Sequence, residues 1–511
     1  MALVEVDVFL IAGAAAAAVA LFALYQRLRS KPKDLLRLPY LKFEDGNDSR
    51  ERYVTDTPAL LQIGYDRYLK HGQAFAMLNY VDENHPQVVL PIKYLKEVRN
   101  APESKLSFPY YSEQIFSLRD TGGIFHTHEA TQMIRVDLNR HLNALTPRMH
   151  DEANAALEKV LPSNNDWAPV SPYAFFSYAI SRVTALALAG PELAHNDEWI
   201  GLTAKITVDI MTAAQGVRAK WRPYTRWAAR WFFEPVKVVL ASKRRAAELL
   251  KPVLEKRKAA LREGTAGREK GSTPNFNDGV QWLLETYEAK NRKLTPEDLA
   301  HHELFAAIGA ITSSVATTVG VLFDLLDHPE YLGEILQEVE EVRKEAPALP
   351  RQALNKLWKL DSFLKESQRL HSVGQVRLNR AAVVPFTFKD GLHLPAGTQI
   401  SFLLQVPGLD PDLFPDPQQF KPWRFLRKRE QGDADKNHFA SVSDDNIFFG
   451  NGAHSCPGRF FVTDEIKLIL VHLLTKYEFK YANDGEKRPA DIIHDNASYP
   501  NIMTQVLYRK K

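Results

Sequence analysis

Only one cysteine, Cys456, occurs among 511 residues, so no intramolecular disulfide can form and a disulfide-stapled secreted scaffold is excluded. A surplus of either charge sign is missing too. The 65 Lys and Arg residues face 62 Asp and Glu, a net +3 that gives no field favouring nucleic acid, so no such partner is expected. The chain has no internal repeat and no long Gly/Ser/Pro-rich linker past residue 45, which argues for one large unit rather than an array. Charged residues are absent from residues 8–25, an apolar, alanine-rich run close to the roughly 20 residues that cross a bilayer. Glu5 and Asp7 precede it, while Arg27, Arg29, Lys31 and Lys33 follow. By the positive-inside tendency this is an uncleaved anchor with the body on the cytosolic side. A secretory signal would have a shorter apolar core, a small-residue cleavage site and no basic stop. Pro32 and Pro39 then break the helix. The expected organisation is a membrane anchor over 1–30, a proline-containing hinge over 31–45 and a catalytic domain over 46–511.

What is abundant is helical patterning. Apolar residues recur at helical spacing over 153–161, 200–214 and 236–261, and the charged, glycine-containing stretch 262–277 reads as a surface loop. Thr295, Pro296, Glu297 and Asp298 supply a cap, a first-turn proline and acidic residues before a long apolar run that ends near His328 and Pro329, which predicts one core helix. Beyond Ser372 the pattern shortens and alternates, with strands expected over 383–388 and 398–402 around a turn at 395–397. The fold class expected is therefore mainly α with a minor β region. Within 216–235, Trp221, Tyr224, Trp227, Trp231, Phe232 and Phe233 are interspersed with arginines and Lys220. Such a composition suits either a lipid headgroup interface or an amphipathic packing face.

The lone thiol sits in FFGNGAHSCPGRFF, residues 448–461. A metal-bound cysteine is a thiolate, and near a buried porphyrin it must be shielded. Glycines let backbone amides approach the sulfur, and Phe449 can cover it. An isolated buried cysteine would be structural; this spacing is not that of an isolated one. The segment resembles the haem-binding loop of cytochromes P-450, with Phe449, Gly452, Cys456 and Gly458 at the family's positions, closest to fungal secondary-metabolism members. The resemblance runs from about Pro39 to the carboxyl end. It implies the cytochrome P-450 fold behind a single transmembrane helix, with Cys456 as axial ligand of haem b (iron protoporphyrin IX).

Further residues follow from the same resemblance. His454 stands where most members carry a propionate-binding arginine and many fungal ones a histidine; a solvent-exposed or loop-bonded imidazole is the plainer alternative. Arg135, in IRVDLNRHLNALTP, matches a propionate-binding arginine, whereas Thr131 stands where an aromatic or histidine often precedes it. Glu366 and Arg369 share a helix face in LDSFLKESQRL, and with Arg424 they match a structural Glu-Arg-Arg network. Aligning back from DHPEY places Gly309 to Ser313 on the family's AGx(D/E)T motif, with Thr312 in place of the acid and Ser313 in place of the alcohol. A serine hydroxyl can relay protons through water but Thr312 cannot act as an acid. Alternatively, Thr312, Ser313 and Ser314 merely bond back to carbonyls one turn earlier.

The resemblance implies a monooxygenase at the endoplasmic reticulum membrane, with a cytosolic catalytic domain. It would use dioxygen and NADPH electrons from a cytochrome P-450 reductase, docking near Arg427, Lys428, Arg429 and Arg459. Its lipophilic substrate, of terpenoid, polyketide or alkaloid type, would be enclosed by segments around 107–125, 305–313, 372–376 and 496–502. Two rivals remain at this point: radical coupling or cyclisation without oxygen insertion, and a haem protein without turnover.

Overall fold

The computed structural model describes Gly13 and residues 36–79, 81, 85–262, 276–483, 485–494 and 496–511. The expected anchor run, its basic flank and nearly all of the expected loop over 262–277 lie outside these residues. Eleven helices carry most of the mass: α1 (Arg50–Arg67), α2 (Asn139–Val160), α3 (Pro172–Leu188), α4 (Asp197–Lys220), α5 (Glu234–Arg262), α6 (Gly279–Ala289), α7 (Pro296–Asp327), α8 (Leu332–Glu345), α9 (Trp358–Leu370), α10 (Arg424–Glu430) and α11 (Arg459–Lys476). Strands are short: β1 (Phe75–Met77), β2 (Gln87–Val89), β3 (Leu106–Ser107), β4 (Ala168–Val170), β5 (Val376–Ala382), β6 (Phe386–Thr387), β7 (His393–Leu394), β8 (Gln399–Leu403), β9 (Tyr477–Lys480), β10 (Ile492–His494), β11 (Ala497–Tyr499) and β12 (Val506–Lys510).

Helix α7 is the axis of the body. The Thr295 hydroxyl accepts from the Asp298 amide while the Asp298 carboxylate accepts back, a capping box that starts the helix one residue before Pro296. Its apolar faces pack against α3, α4, α5 and α11, and α2 crosses α3 and α11. Among the described residues α7 alone is long and apolar enough to cross a membrane, yet most of its apolar stretch is buried in protein, as a core helix requires.

The main sheet has the order β1-β2-β8-β5-β3; β2 and β8 run parallel and the other neighbours antiparallel. Both faces are covered. Ala76, Val88, Ile400 and Phe402 feed one apolar cluster, while Phe75, Met77, Val89 and Leu403 feed another. That is the period-2 alternation of a strand, made invisible in sequence because both faces are apolar. Part of the expected hinge belongs to this sheet: the Ala76 amide donates to the Pro39 carbonyl at 2.9 Å and the Leu41 amide to the Ala76 carbonyl at 2.8 Å.

One expected strand is displaced. The alternating run 383–388 contributes only β6, and the sheet strand is β5, whose Arg377, Asn379 and Arg380 disguise it. Leu378 has φ +56°, and the register against β8 shifts between Arg377 and Arg380. The resulting bulge re-aims both arginines.

Candidate active site

The thiol loop lies between β8 and α11. The Cys456 amide donates to the Phe449 carbonyl at 2.6 Å, which closes the loop across Gly450 and Gly452, both in the left-handed region at φ +81° and +61°. At Gly450 a Cβ would lie 2.9 Å from the His454 carbonyl oxygen, so backbone fills the space a side chain would need. Phe449 packs edge-on against Phe439 and Phe448, a dry aromatic wall beside the sulfur. Burial pushes the Cys456 thiol up. The Gly458 amide and the guanidiniums of Arg459 and Arg377 pull it back, as does the Arg459 amide.

Ahead of α2, residues Met133–Leu138 form a single π-helical turn. Such widened turns occur where a helix presents side chains to a site. Here it presents two: Arg135 Nη2 donates to the Ala453 carbonyl at 2.9 Å, and Asn139 Nδ2 to the Pro457 carbonyl at 3.0 Å. The two residues lie one turn apart and grip the loop on either side of Cys456. Arg135 is exposed, on the rim of a hollow of about 410 Å³ also lined by Arg351 and Arg459. Arg429, expected in the same docking patch, instead points inward, 3.2 Å from Asp361 and over the Trp358 ring.

A second group of bases gathers around Glu103. His454 Nδ1 stands 4.0 Å from its carboxylate. Burial, then the charges of Arg380 and Arg135, hold the imidazole below its ordinary value, so it is mainly neutral at pH 7. Buried Arg380 donates to the Asn379 carbonyl, and its Nε has no partner. His126 lies beside Thr131: its Nε2 is 2.9 Å from the Thr131 hydroxyl and its ring meets Phe305 edge-on at 5.4 Å. Arg380, His126 and Asn139 were not singled out in the sequence. The bulge hides the first, His126 lies upstream of the quoted segments, and Asn139 lies within IRVDLNRHLNALTP at a position to which that resemblance gives no role.

Phe305 belongs to a stripe on α7. Most of this helix is buried, yet Gly309 and Ser313 are exposed, Phe305 and Thr312 are partly so, and a Cβ at Gly309 would touch nothing within 4 Å. An accessible stripe at i, i+4, i+8 on a core helix lines internal space. Ser313 Oγ donates to the Gly309 carbonyl at 3.3 Å and Ser314 Oγ to that of Ala310 at 2.6 Å, while no hydrogen bond of the Thr312 hydroxyl is found.

Behind the loop, α9 is buried around its whole circumference although 360–370 holds many polar residues. Each main charge there is paired. Glu366 receives Arg369 Nε and Nη2 at 2.9 and 2.7 Å, the Lys421 amide at 2.9 Å, and Arg424 Nε at 3.2 Å to both oxygens. The guanidiniums also donate to the carbonyls of Gly408, Pro417 and Pro415, tying the chain before α10 to α9. Asp361 pairs with Lys467 at 2.6 Å and so clamps α9 to α11.

These features fit a flat, dianionic prosthetic group held by one sulfur. Among the described residues no three His, Cys, Asp or Glu side chains form a metal cage. Unpartnered Arg380 Nε offers an acceptor-seeking group for a carboxylate, and the α7 stripe leaves room for a planar ring.

The chain belongs to the cytochrome P450 family: the family description "Cytochrome P450" matches residues 76–502. It is therefore an oxidoreductase of the P450 monooxygenase family. It is 42% identical over 486 residues to cytochrome P450 monooxygenase cheE of Chaetomium globosum, covering 94% of this chain and 93% of that one. It is 42% identical over 478 residues to cytochrome P450 monooxygenase ccsG of Aspergillus clavatus, covering 93% of each. Pyrichalasin C-7 hydroxylase of Pyricularia grisea is 35% identical, covering 91% of this chain and 90% of that one. A crystal structure of the cytochrome P450DA heme domain superposes with TM-score 0.66 over 93% of this chain and 98% of its own, at 15% identity, and supports the fold alone.

Proposed function

We propose that this chain hydroxylates a lipophilic secondary metabolite, using dioxygen and electrons passed from NADPH through a cytochrome P450 reductase. The observation that carries the reading is the half-buried Cys456 thiol in its glycine-bent loop beside Phe449. Haem b, when bound, supplies the activation of dioxygen, and thiolate ligation favours cleavage of the oxygen-oxygen bond.

The protein's own residues do the rest. Cys456 would hold the iron, with the Gly458 and Arg459 amides steadying its sulfur, and Gly452 permits the turn. Arg380, His126, Arg135 and His454 are the residues that would hold the haem carboxylates. Ser313, on the accessible stripe, would hold a proton on its Oγ for exchange with water in the pocket, and Thr312 beside it contributes a hydroxyl but no acid. Glu366, Arg369 and Arg424 keep the wall behind the loop rigid. The hollow lined by Arg135, Arg351 and Arg459 is the surface for an acidic reductase face.

The proposed organisation is an anchor over 1–30, a hinge over 31–45 and a catalytic domain over 46–511 on the cytosolic side of the endoplasmic reticulum membrane. The apolar run 8–25 with its basic flank supports it. So do Tyr224, Trp227 and Phe232, 77%, 61% and 76% exposed between α4 and α5. Aromatic rings left in solvent beside Arg226 and Arg230 suit a headgroup layer.

The test is turnover with a P450 reductase under isotopically heavy dioxygen. Hydroxylation predicts a product that gains one heavy oxygen atom. The non-acidic Thr312 favours a second reading, coupling through a substrate radical, which predicts loss of two hydrogens and no heavy oxygen.

A further inference from the structure

Arg377 stands apart from the bases around Glu103. Its Nε donates to the Phe448 carbonyl at 3.3 Å, Nη1 to that of Val376 at 3.1 Å and Nη2 to that of Val373. A guanidinium has five N–H donors, so one remains on each Nη. The acidic groups within electrostatic reach are Tyr499, Cys456 and Tyr111, and none is a carboxylate. Burial has pushed this guanidinium down to about 10. A buried cation without a counter-charge is unfavourable unless a bound group supplies one.

The backbone is shaped around this side chain. Leu378 takes φ +56° directly after it, at the bulge in β5. Gly374 takes φ +93°, and a Cβ there would come within 2.6 Å of Arg377 Nη1. The Gln375 amide donates to the Asn496 carbonyl at 2.7 Å, which pins the β10-β11 hairpin, and with it Tyr499, over the same spot. From the other side, the helix Phe108–Ile115 carrying Tyr111 packs on β5. Arg377, Tyr111 and Tyr499 are each only partly buried, so a bound group can reach them.

We propose that Arg377 determines substrate specificity: its two uncommitted Nη donors, framed by Tyr111 and Tyr499, bind a carboxylate-type oxyanion on an otherwise apolar substrate. One donor on each Nη matches two oxygens of one acceptor, the geometry in which arginine outperforms lysine. The inference rests on the P450 reading and deepens it by naming a substrate class. The same chemistry could come from a haem propionate, and the test separates the two sources.

Dodecanoate, dodecanamide and dodecanol would be titrated into the full-length holoprotein at pH 8, with binding followed by equilibrium dialysis and haem retention followed by transfer to a scavenging apoglobin. The wild type should bind dodecanoate about tenfold or more tightly than dodecanol. Arg377→Gln should erase that preference while dodecanol affinity stays unchanged, and Arg377→Lys should restore part of it. No preference in the wild type, or a preference that survives Arg377→Gln, overturns the proposal. Faster haem loss as the sole effect of Arg377→Gln assigns the guanidinium to a propionate and overturns it as well. Dialysis needs no haem signal, so a failed P450 reading would register separately, as a missing thiolate spectrum in the wild type.

Discussion

Replacing Glu366 with glutamine removes one negative charge and almost no volume from a site packed against two guanidiniums. The Glu366 side chain is fully buried, and those of Arg369 and Arg424 are 5% and 8% exposed. Three of the five hydrogen bonds onto Glu366 end on Oε1 and two on Oε2. A glutamine carbonyl can keep the first three. Its amide nitrogen then faces Arg369 Nε and Arg424 Nε, donor against donor. Two charge-assisted bonds at about 1.5–3 kcal/mol each give a loss of about 3–6 kcal/mol, in line with the roughly 3–5 kcal/mol of a broken buried pair. Against a total stability of about 5–15 kcal/mol this is a large fraction. Urea unfolding of the holoprotein, followed by far-UV circular dichroism and by the haem band, should show that loss equally at low and high salt, because a buried pair is little screened. Glu198→Gln, whose partner Arg245 lies in solvent, should leave the transition in place. A loss below about 1 kcal/mol for Glu366→Gln, or one that salt abolishes, would refute the reasoning.

Ser313→Ala should raise peroxide released per NADPH consumed severalfold with the carbon-monoxide spectrum unchanged; unchanged coupling removes the relay from Ser313. Gly452→Ala places a Cβ within 2.4 Å of Arg99 Cδ at φ +61°, so it should lower stability by about 1–3 kcal/mol and speed haem loss, measured by transfer to an apoglobin. Burial raises Glu303 from an ordinary carboxyl to about 8, with Asp278 adding to the rise. Its contribution is therefore complete below pH 4.5 and lost as pH climbs through 8. Glu303→Gln should accordingly gain stability relative to wild type between pH 5 and 8, and urea midpoints that stay parallel across that range would contradict this.

The parts legible in sequence were those where one residue type has one use. A single thiol among closely spaced glycines, a capping box before a long apolar run, and a Glu-x-x-Arg pair each left one economical reading. Legibility failed where the backbone departs from its regular period. The π turn at Met133–Leu138 brings Asn139 onto the loop together with Arg135, and no regular helical wheel anticipates that. The bulge at Leu378 breaks the alternation that would have marked β5, so a weaker apolar run, 383–388, drew the strand assignment and Arg377 and Arg380 went unread. At Thr131 no motif announces the neighbour the fold supplies, since His126 reaches its hydroxyl from five residues upstream.

Sulfur-to-iron ligation at Cys456 is tested most directly by the ferrous carbon-monoxide spectrum of the purified holoprotein and its Cys456→His variant. The wild type should give the strongly red-shifted Soret band of a thiolate-bound iron, and the variant the band of an imidazole-bound one. A globin-like band in the wild type, or a red-shifted band that survives the substitution, would contradict the assignment.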